Sequence, residues 1–179
     1  GWDNDLFTVL LVGGGEGMGN LERHAMAINH SHLPIQLVIV AGRNQPLKTK
    51  LENQNWNIPT KIYGFVKEMP EFMQASDILV TKAGPGTISE AFIAGLPLIL
   101  YSKMPGQEDG NVGYVTNQGA GIWAPNPDLL VESLLNWINH PEELKFVGSR
   151  SAQLAKPQAS RDIAKALEKQ IRISLDNRT

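Results

Sequence analysis

The sequence contains no cysteine, and this absence excludes three kinds of chemistry. Thiol nucleophiles, cysteine-based zinc sites and disulfide scaffolds all require a residue that none of the 179 positions supplies. A long apolar run is also missing, because the stretch Phe92–Tyr101 is interrupted by Gly95 and Pro97 and is too short to span a bilayer. We therefore expect a hydrophobic core to stabilise the fold, and the hydrophobic content of 42% is sufficient for one.

The chain also lacks an excess of positive charge. Lys and Arg number 16 against 18 Asp and Glu, which gives a formal net charge of −2. Domains that bind nucleic acid usually carry a basic face, so no nucleic-acid partner is predicted. The length is that of one domain, and we expect residues 1–179 to form a single domain.

Short apolar runs alternate with helical patterns along the first two thirds of the chain. The runs predict strands at Phe7–Val12, Ile35–Ala41, Lys61–Phe65, Asp77–Thr81, Leu98–Tyr101 and Ala120–Trp123. The patterns between them predict helices at Leu21–Asn29, Leu47–Gln54, Met69–Ala75, Thr87–Ala94 and Asn111–Asn117. This alternation is typical of an α/β fold, a Rossmann-like parallel sheet with helices on both faces.

Residues 125–175 follow a different, purely helical pattern. Helices are predicted at Pro127–Asn139, Pro141–Leu154 and Ser160–Ile171, each of which starts near a Pro or Ser. We interpret these residues as the C-terminal helical part of the same domain.

The segment between the fourth predicted strand and its helix has the composition of an anion site. Gly84 and Gly86 allow a ligand to approach the backbone closely, and the first helical turn leaves N–H groups that a phosphate can accept. Glu90 would stand at a distance suited to the hydroxyls of a ribose. The spacing also fits a capping box, in which Thr87 caps the helix and Glu90 reaches back to the Thr87 amide.

Two further loops follow strands, where a doubly wound sheet binds its ligands. The loop Gly13–Asn20 is rich in glycine, which favours either ligand contact or tight helix packing. It matches neither the dinucleotide fingerprint nor the P-loop, and the second strand ends in Arg43 instead of the acid that holds an NAD ribose. The loop Pro105–Asn111 contains three polar residues that could share one helix face: Gln107, Glu108 and Asn111. They either bind the hydroxyls of a hexose or simply begin a helix.

Taken together, these loops resemble the C-terminal half of glycosyltransferase family 28, the MurG-type enzymes with the two Rossmann-like halves of the GT-B architecture. Within that family the chain is most similar to the monogalactosyldiacylglycerol synthases. The stretches that carry the resemblance are Ala41–Asn44, Gly64–Val66, Thr81–Thr87, Gly106–Asn111 and Leu154–Pro157.

The resemblance implies that the chain binds a UDP-sugar donor. Glu90 would bind the ribose hydroxyls, and Phe65 and Val66 would flank the uracil. The diphosphate would be surrounded by Gly84, Pro85, Gly86 and Thr87, with Gly14, Gly15 and Arg43 near the phosphates and the cleft. Gln107, Glu108 and Asn111 match the sugar-reading positions, and Glu108 replaces a second Gln of the MurG-type enzymes, which favours galactose or glucose over N-acetylglucosamine.

The implied reaction is attack by an acceptor hydroxyl, such as that of diacylglycerol, on the anomeric carbon, with inversion as UDP departs. The general base would belong to an N-terminal acceptor domain that this chain lacks, so we expect no catalytic residue here. That domain, or a separate partner chain, is the expected protein partner, with possible peripheral membrane association through it. We expect the protein in the cytoplasm or on the cytoplasmic face of a membrane.

No cofactor and no metal are expected. Asp3-Asn4-Asp5 spells the D-x-D of metal-dependent glycosyltransferases, but it precedes the first strand and is interpreted as a solvated linker. Ordinary candidates for a base are limited to four histidines, and all are expected to have surface roles: His24, His30, His32 and His140.

Three other functions stay open at this point. The chain could be a free-standing donor-binding subunit of a two-chain UDP-GlcNAc transferase, or half of a UDP-sugar 2-epimerase. It could also be a non-catalytic module that binds a phosphorylated metabolite.

Overall fold

Six parallel strands form one sheet in the computed structural model, which describes residues 2–14 and 20–176 and the side chains as far as residue 171. The strand order is β3-β2-β1-β4-β5-β6. The strands are β1 (Phe7–Val12), β2 (Ile35–Val40), β3 (Thr60–Tyr63), β4 (Ile78–Lys82), β5 (Leu98–Ser102) and β6 (Gly121–Trp123).

Helices follow the strands and then extend the chain beyond the sheet. They are α1 (Leu21–His30), α2 (Gln45–Glu52), α3 (Met69–Gln74), α4 (Pro85–Ala94), α5 (Asp109–Asn117), α6 (Pro127–Asn139), α7 (Pro141–Leu154) and α8 (Ala159–Asp176). None of the helices in the described part of the chain has the length and apolarity needed to cross a membrane.

The core lies on both faces of the sheet because successive strand residues point to opposite sides. In β1, Val9 and Leu11 pack toward a cluster that includes α1 and α6, whereas Leu10 and Val12 pack toward α3, α4 and α5. All four strand residues are buried. A parallel strand covered on both faces needs a continuous apolar sequence, which explains why these strands do not alternate with polar residues.

The strand order reverses between β1 and β4, and this reversal determines where a ligand can bind. From β1 the chain proceeds outward through β2 to β3, and it then returns to β4 on the other side of β1. The crossovers therefore leave β1 and β4 in opposite directions, which opens a crevice at the carboxyl ends of these two strands.

The bounds of the elements differ from the predicted ones mainly at helix starts. Helix α2 begins at Gln45, two residues before the predicted start, because the Asn44 side chain accepts the Leu47 N–H at 3.0 Å. Strand β3 ends at Tyr63, so Phe65 lies in the loop instead of the strand. Helix α8 continues to Asp176, beyond the predicted end at Ile171.

Candidate functional site

Helix α4 begins at Pro85, and Gly84 is its N-cap residue in extended conformation with no side-chain cap. The capping-box interpretation is therefore wrong, because Thr87 lies inside the first turn. Pro85 has no N–H group, and the Gly84 N–H donates to the Lys82 carbonyl at 2.8 Å. Within the described ranges, the N–H groups of Gly86 and Thr87 have no acceptor. Two donors at the positive end of the helix are thus available to an anion.

The described residues leave space beside Gly86 at this helix start. A Cβ atom added to Gly86 would have no described atom within 4 Å. The described part of the fold therefore gives no packing reason for a glycine at this position, whereas a ligand close to the backbone would give one.

Glu90 lies on the side of α4 that faces α3. With Pro85 as the first helical residue, Glu90 stands about 7.5 Å along the axis from the helix start, and its side chain leans back toward that start. It is exposed and borders a groove of about 130 Å³ between the two helices, whose other walls are Pro70, Met73, Gln74, Ile93 and Ala94. The carboxylate is therefore accessible to a ligand that extends from the helix start toward α3.

The described part of the glycine-rich loop meets the end of β4. Gly14 has φ +71°, and a Cβ atom there would lie 2.8 Å from Cε of Lys82. The left-handed backbone conformation favours glycine here, and a larger residue would also have to displace the end of the Lys82 side chain. Gly15 and the rest of the loop up to Gly19 lie outside the described residues.

The rings of His24 and Tyr101 are in contact, with their planes tilted by 43°. The ring centroids are 4.6 Å apart; His24 Nδ1 lies 3.1 Å from the Asn20 carbonyl, and the Tyr101 hydroxyl donates to the Val12 carbonyl at 3.3 Å. The two residues thus hold the strand end and the helix start on either side of the loop. Burial lowers the pKa of His24, partly offset by the Asn20 and Pro125 carbonyls, and burial raises the pKa of Tyr101.

The expected surface role is wrong for His24, which is only 3% exposed. Its position on the inner face of α1 could have been read from the helical period, since Leu21, Ala25 and Ile28 share that face and are buried. His30 and His32 lie before β2 at the opposite edge of the sheet, and His140 links α6 to α7.

Arg43 and Phe65 come from two neighbouring loops and meet at the carboxyl edge. The Arg43 guanidinium lies 4.8 Å from the centroid of the Phe65 ring, a cation–π distance, although Phe65 is 53% exposed. Val66 is partly buried against the core cluster that contains α3 and α4. The exposed ring and the guanidinium form one edge of the candidate site.

The three predicted sugar-reading residues do not share one helix face. Helix α5 begins at Asp109, so Gln107 precedes it and is exposed. Glu108 and Asn111 instead both face the end of β4: the Glu108 carboxylate accepts from Lys82 Nζ at 2.9 Å, and Asn111 Nδ2 donates to the Ala83 carbonyl at 2.9 Å. Glu108 is only 6% exposed.

A second ion pair holds the outer side of the same loop. Asp109 accepts from Lys103 Nζ at 2.7 Å and from the Gly106 N–H at 2.9 Å, and Lys103 also lies 5.5 Å from the centroid of the Trp123 ring. The hydrogen bond from Lys103 and the one from Gly106 lower the pKa of Asp109. The loop from Lys103 to Asp109 is therefore braced from both sides, while its tip stays exposed.

Sequence reasoning named most residues of this edge as candidates but did not predict how its charges are paired. In the sequence, Lys82 and Lys103 are simply cations that follow strands, and nothing singles out Asp109. The pairing partners lie 26 and six residues away along the chain. Of the two ion pairs, only Lys103–Asp109 could have been suggested by sequence spacing. Lys103 lies at the start of a short loop and Asp109 at its end, so the two side chains are close.

No group of three His, Cys, Asp or Glu residues in the described part of the chain is arranged to hold a metal ion. Asp3 and Asp5 of the D-x-D sequence are instead linked to each other and to the amino edge of the sheet. Asp3 Oδ1 accepts the Asp5 N–H at 3.0 Å, and the Asp3 N–H donates to Gln36 at 3.0 Å.

The model of the glycosyltransferase family 28 C-terminal domain matches residues 8–167. The chain belongs to this family. It is 45% identical over 175 residues to the probable monogalactosyldiacylglycerol synthase 2 of Oryza sativa subsp. indica, covering 93% of this chain and 37% of that protein. It is 43% identical over 187 residues to monogalactosyldiacylglycerol synthase 3 of Arabidopsis thaliana, covering 98% of this chain and 40% of that protein.

The fold resembles that of MurG from Acinetobacter baumannii, with a TM-score of 0.79 and 20% identity over 94% of this chain and 51% of that one. The predicted fold class and the resemblance stated from the sequence are both confirmed. The chain spans less than half the length of the curated relatives described above.

Proposed function

We propose that this chain is the donor-binding half of a UDP-sugar-dependent hexosyltransferase. The observation that carries the proposal is the start of α4 at the reversal of the strand order. Within the described ranges, the Gly86 and Thr87 amides have no acceptor there, and a Cβ atom on Gly86 would meet nothing within 4 Å. Such a helix start is suited to a diphosphate. Membership of glycosyltransferase family 28 supports this assignment.

In the proposed complex the nucleotide extends from the start of α4 toward α3. The diphosphate contacts Gly84, Pro85, Gly86 and Thr87, and the ribose hydroxyls donate to the Glu90 carboxylate. The uracil lies against Phe65 and Val66, with Arg43 beside them. Exposure of Glu90 and Phe65 supports this arrangement, because neither side chain is needed for the core.

The hexose lies toward the loop that precedes α5. Gln107 is exposed at the tip of that loop. The Asn111 amide nitrogen donates to the Ala83 carbonyl, and its amide oxygen accepts no hydrogen bond from the described residues. An amide offers both donors and acceptors, which suits sugar hydroxyls. Galactose is the proposed sugar because the relatives that match the chain are named monogalactosyldiacylglycerol synthases.

The reaction is attack of an acceptor hydroxyl on the anomeric carbon, with inversion, while the bond to the UDP oxygen breaks. Negative charge grows on the departing diphosphate. The amides at the start of α4 stabilise that charge, and one preorganised donor of this kind is worth roughly 2.7–4 kcal/mol in other enzymes. A base in the acceptor half takes the hydroxyl proton.

A lipid acceptor such as diacylglycerol is proposed from the same relatives, and the partner is an N-terminal acceptor domain. Helix α8 supports a partner of this kind, because Ile163, Leu167 and Ile171 are spaced by four residues and are 61%, 59% and 61% exposed. A helix with such an apolar stripe normally packs against another element.

Peripheral association with a membrane, on the cytoplasmic face, would follow from the acceptor half, whereas the curated relatives described above are named chloroplastic.

Calorimetric titration with UDP, UDP-galactose, UDP-glucose and UDP-GlcNAc tests the proposal. Wild type should bind UDP and prefer UDP-galactose among the sugars. Glu90→Ala should weaken UDP binding roughly 10- to 100-fold, since hydrogen bonds to a charged group are worth about 1.5–3 kcal/mol. Glu71→Ala, which removes an exposed carboxylate from α3, is the matched control and should bind as wild type.

The same titration separates the alternatives. A preference for UDP-GlcNAc would favour the two-chain transferase subunit, and formation of an epimer during incubation would favour the epimerase half. Binding of neither UDP nor any UDP-sugar would overturn the proposal and leave the metabolite-binding module.

A further inference from the structure

The side chain of Lys82 is held in one direction at the reversal of the strand order. It is the last residue of β4, and its side chain is 24% exposed. Its stem lies against the Gly14 backbone, where a Cβ atom would approach Cε to 2.8 Å. A lysine side chain ordinarily has considerable rotamer freedom, which the close approach of Gly14 restricts here.

Glu108 holds the other end of this side chain. One carboxylate oxygen accepts from Lys82 Nζ at 2.9 Å, and the other accepts the Met104 N–H at 2.7 Å. Both oxygens are in use, and the side chain is 9% exposed. A carboxylate in this position is poorly available to sugar hydroxyls.

The ion pair lies directly beside the start of α4. A Cβ atom on Gly84 would be 3.7 Å from Glu108 Oε1 and 3.9 Å from Lys82 Nζ. The ammonium therefore stands next to the N-cap of the helix whose first amides are available to an anion. An ammonium has three donors, and Glu108 takes one of them.

We propose that Lys82 is a diphosphate-binding cation and that Glu108 is a positioning residue that directs it, instead of a reader of the sugar. This inference rests on the proposed function. Glu108 restricts the ammonium to the position beside Gly84 and gives it a partner when no nucleotide is bound, since an unpaired charge in a largely buried site is unfavourable. Recognition of the hexose hydroxyls then falls to Gln107 and Asn111.

The test compares phosphate-dependent with sugar-dependent binding in four proteins: wild type, Lys82→Met, Glu108→Gln and the double variant. Each is titrated with uridine, UDP and UDP-galactose. Glu108→Gln keeps an oxygen for the Met104 N–H, and the double variant buries no unpaired charge, so at least these two proteins should fold. Thermal melting confirms the folded state of each.

Lys82→Met should weaken UDP binding about tenfold and leave uridine binding unchanged, because only the phosphate contact is lost. Glu108→Gln should weaken UDP binding several-fold in the wild-type background and should have no further effect in the Lys82→Met background. The ratio of UDP-galactose affinity to UDP affinity should stay the same in all four proteins. If Lys82→Met does not fold, the contribution of Lys82 is measured by comparing the UDP affinity of the double variant with that of Glu108→Gln.

A lower UDP-galactose affinity in Glu108→Gln with unchanged or tighter UDP binding would overturn the inference and assign Glu108 to the sugar. UDP binding that does not depend on Lys82 would overturn it as well, while leaving the proposed function intact. Absence of UDP binding by wild type would reject both. Lys103→Met is the matched control, because Lys103 is paired with exposed Asp109 on the outer side of the loop and should not affect UDP binding.

Discussion

Two buried threonines on neighbouring strands differ in the hydrogen bonding of their hydroxyl groups. Thr8, near the amino edge of the sheet, is 3% exposed, and its hydroxyl donates to the Leu6 carbonyl at 3.2 Å and accepts from Gln36 at 2.7 Å. Thr81, near the carboxyl edge, is 0% exposed, and its hydroxyl has no partner in the described part of the chain. Unpaired polar groups are rare in protein interiors and therefore mark a place to examine.

The amino and carboxyl edges of the sheet also differ in how completely their polar groups are hydrogen-bonded. At the amino edge a cavity of about 380 Å³ has walls that already bond to each other, since Gln36 pairs with Asp3 and the Thr8 N–H donates to Asp77 at 2.7 Å. The groove between α3 and α4 that Glu90 borders is smaller, about 130 Å³, whereas the available amides lie at the carboxyl edge, at the start of α4. Unsatisfied hydrogen-bonding groups, more than volume, distinguish the candidate site.

Thr8→Val should have the largest effect on folding. The change removes the acceptor of a buried Gln36 N–H, and a buried donor without a partner costs about 1–3 kcal/mol. Urea denaturation of the variant should show a lower free energy of unfolding by that amount, with UDP affinity unchanged. Unaltered stability would contradict the view that the amino edge is a structural network.

Gly86→Ala should separate binding from stability by changing them in opposite directions. Alanine favours a helix over glycine by up to roughly 0.5–1 kcal/mol, and the added methyl group enters space that no described atom occupies. We expect a small gain in the free energy of unfolding and roughly tenfold weaker UDP binding, about 1.4 kcal/mol.

Gly113→Ala is the control for that experiment. It lies within α5, where a Cβ atom also has nothing within 4 Å, and it should gain stability without loss of UDP binding. If Gly86→Ala bound UDP as tightly as wild type, the space in front of α4 would not be the diphosphate site.

Thr81→Val tests the carboxyl edge and should change the free energy of unfolding in the direction opposite to Thr8→Val. Replacing an unpaired buried hydroxyl by a methyl group removes a desolvation penalty at nearly constant volume, so the free energy of unfolding should rise by about 1 kcal/mol. Denaturation by urea in parallel with Thr8→Val measures the difference. A loss of stability in Thr81→Val would indicate that its hydroxyl has a partner, such as water, in solution.

His24 should produce the smallest effect, visible in the pH dependence of stability. Burial favours the neutral ring, so the pKa of His24 is lower in the folded protein than the value of about 6.5 in the unfolded chain. The unfolded state then binds more protons below about pH 6.5, and the stabilising contribution present above that pH is lost as the pH falls. In His24→Phe the melting temperature should fall less between about pH 7.5 and 5.5 than in wild type.

His30→Gln is the control for this measurement, because His30 lies at the exposed end of the same helix. It should keep the pH dependence of wild type. An identical pH dependence in His24→Phe would mean that the buried ring does not contribute to it.

The sequence predicted the strands well because parallel strands buried on both faces require continuous apolar runs, as in Leu37–Val40 of β2. It predicted the glycines and Glu90 as site residues from their place after strands, and these roles stay predictions. It was less successful at the start of α4, where Thr87 and Glu90 match the local capping pattern although Pro85 begins the helix. Local patterns cannot distinguish two starts that differ by two residues.

Residue order alone therefore determined the class of fold, the parallel sheet and the loops in which a ligand is to be sought, because hydrophobic periodicity and turn residues act over a few positions. Only the tertiary structure decided that Glu108 pairs with Lys82 and that the His24 ring contacts the Tyr101 ring. Those partners come from different elements of the fold, and the direction of a charged or polar side chain depends on which groups the packed elements bring within hydrogen-bonding distance.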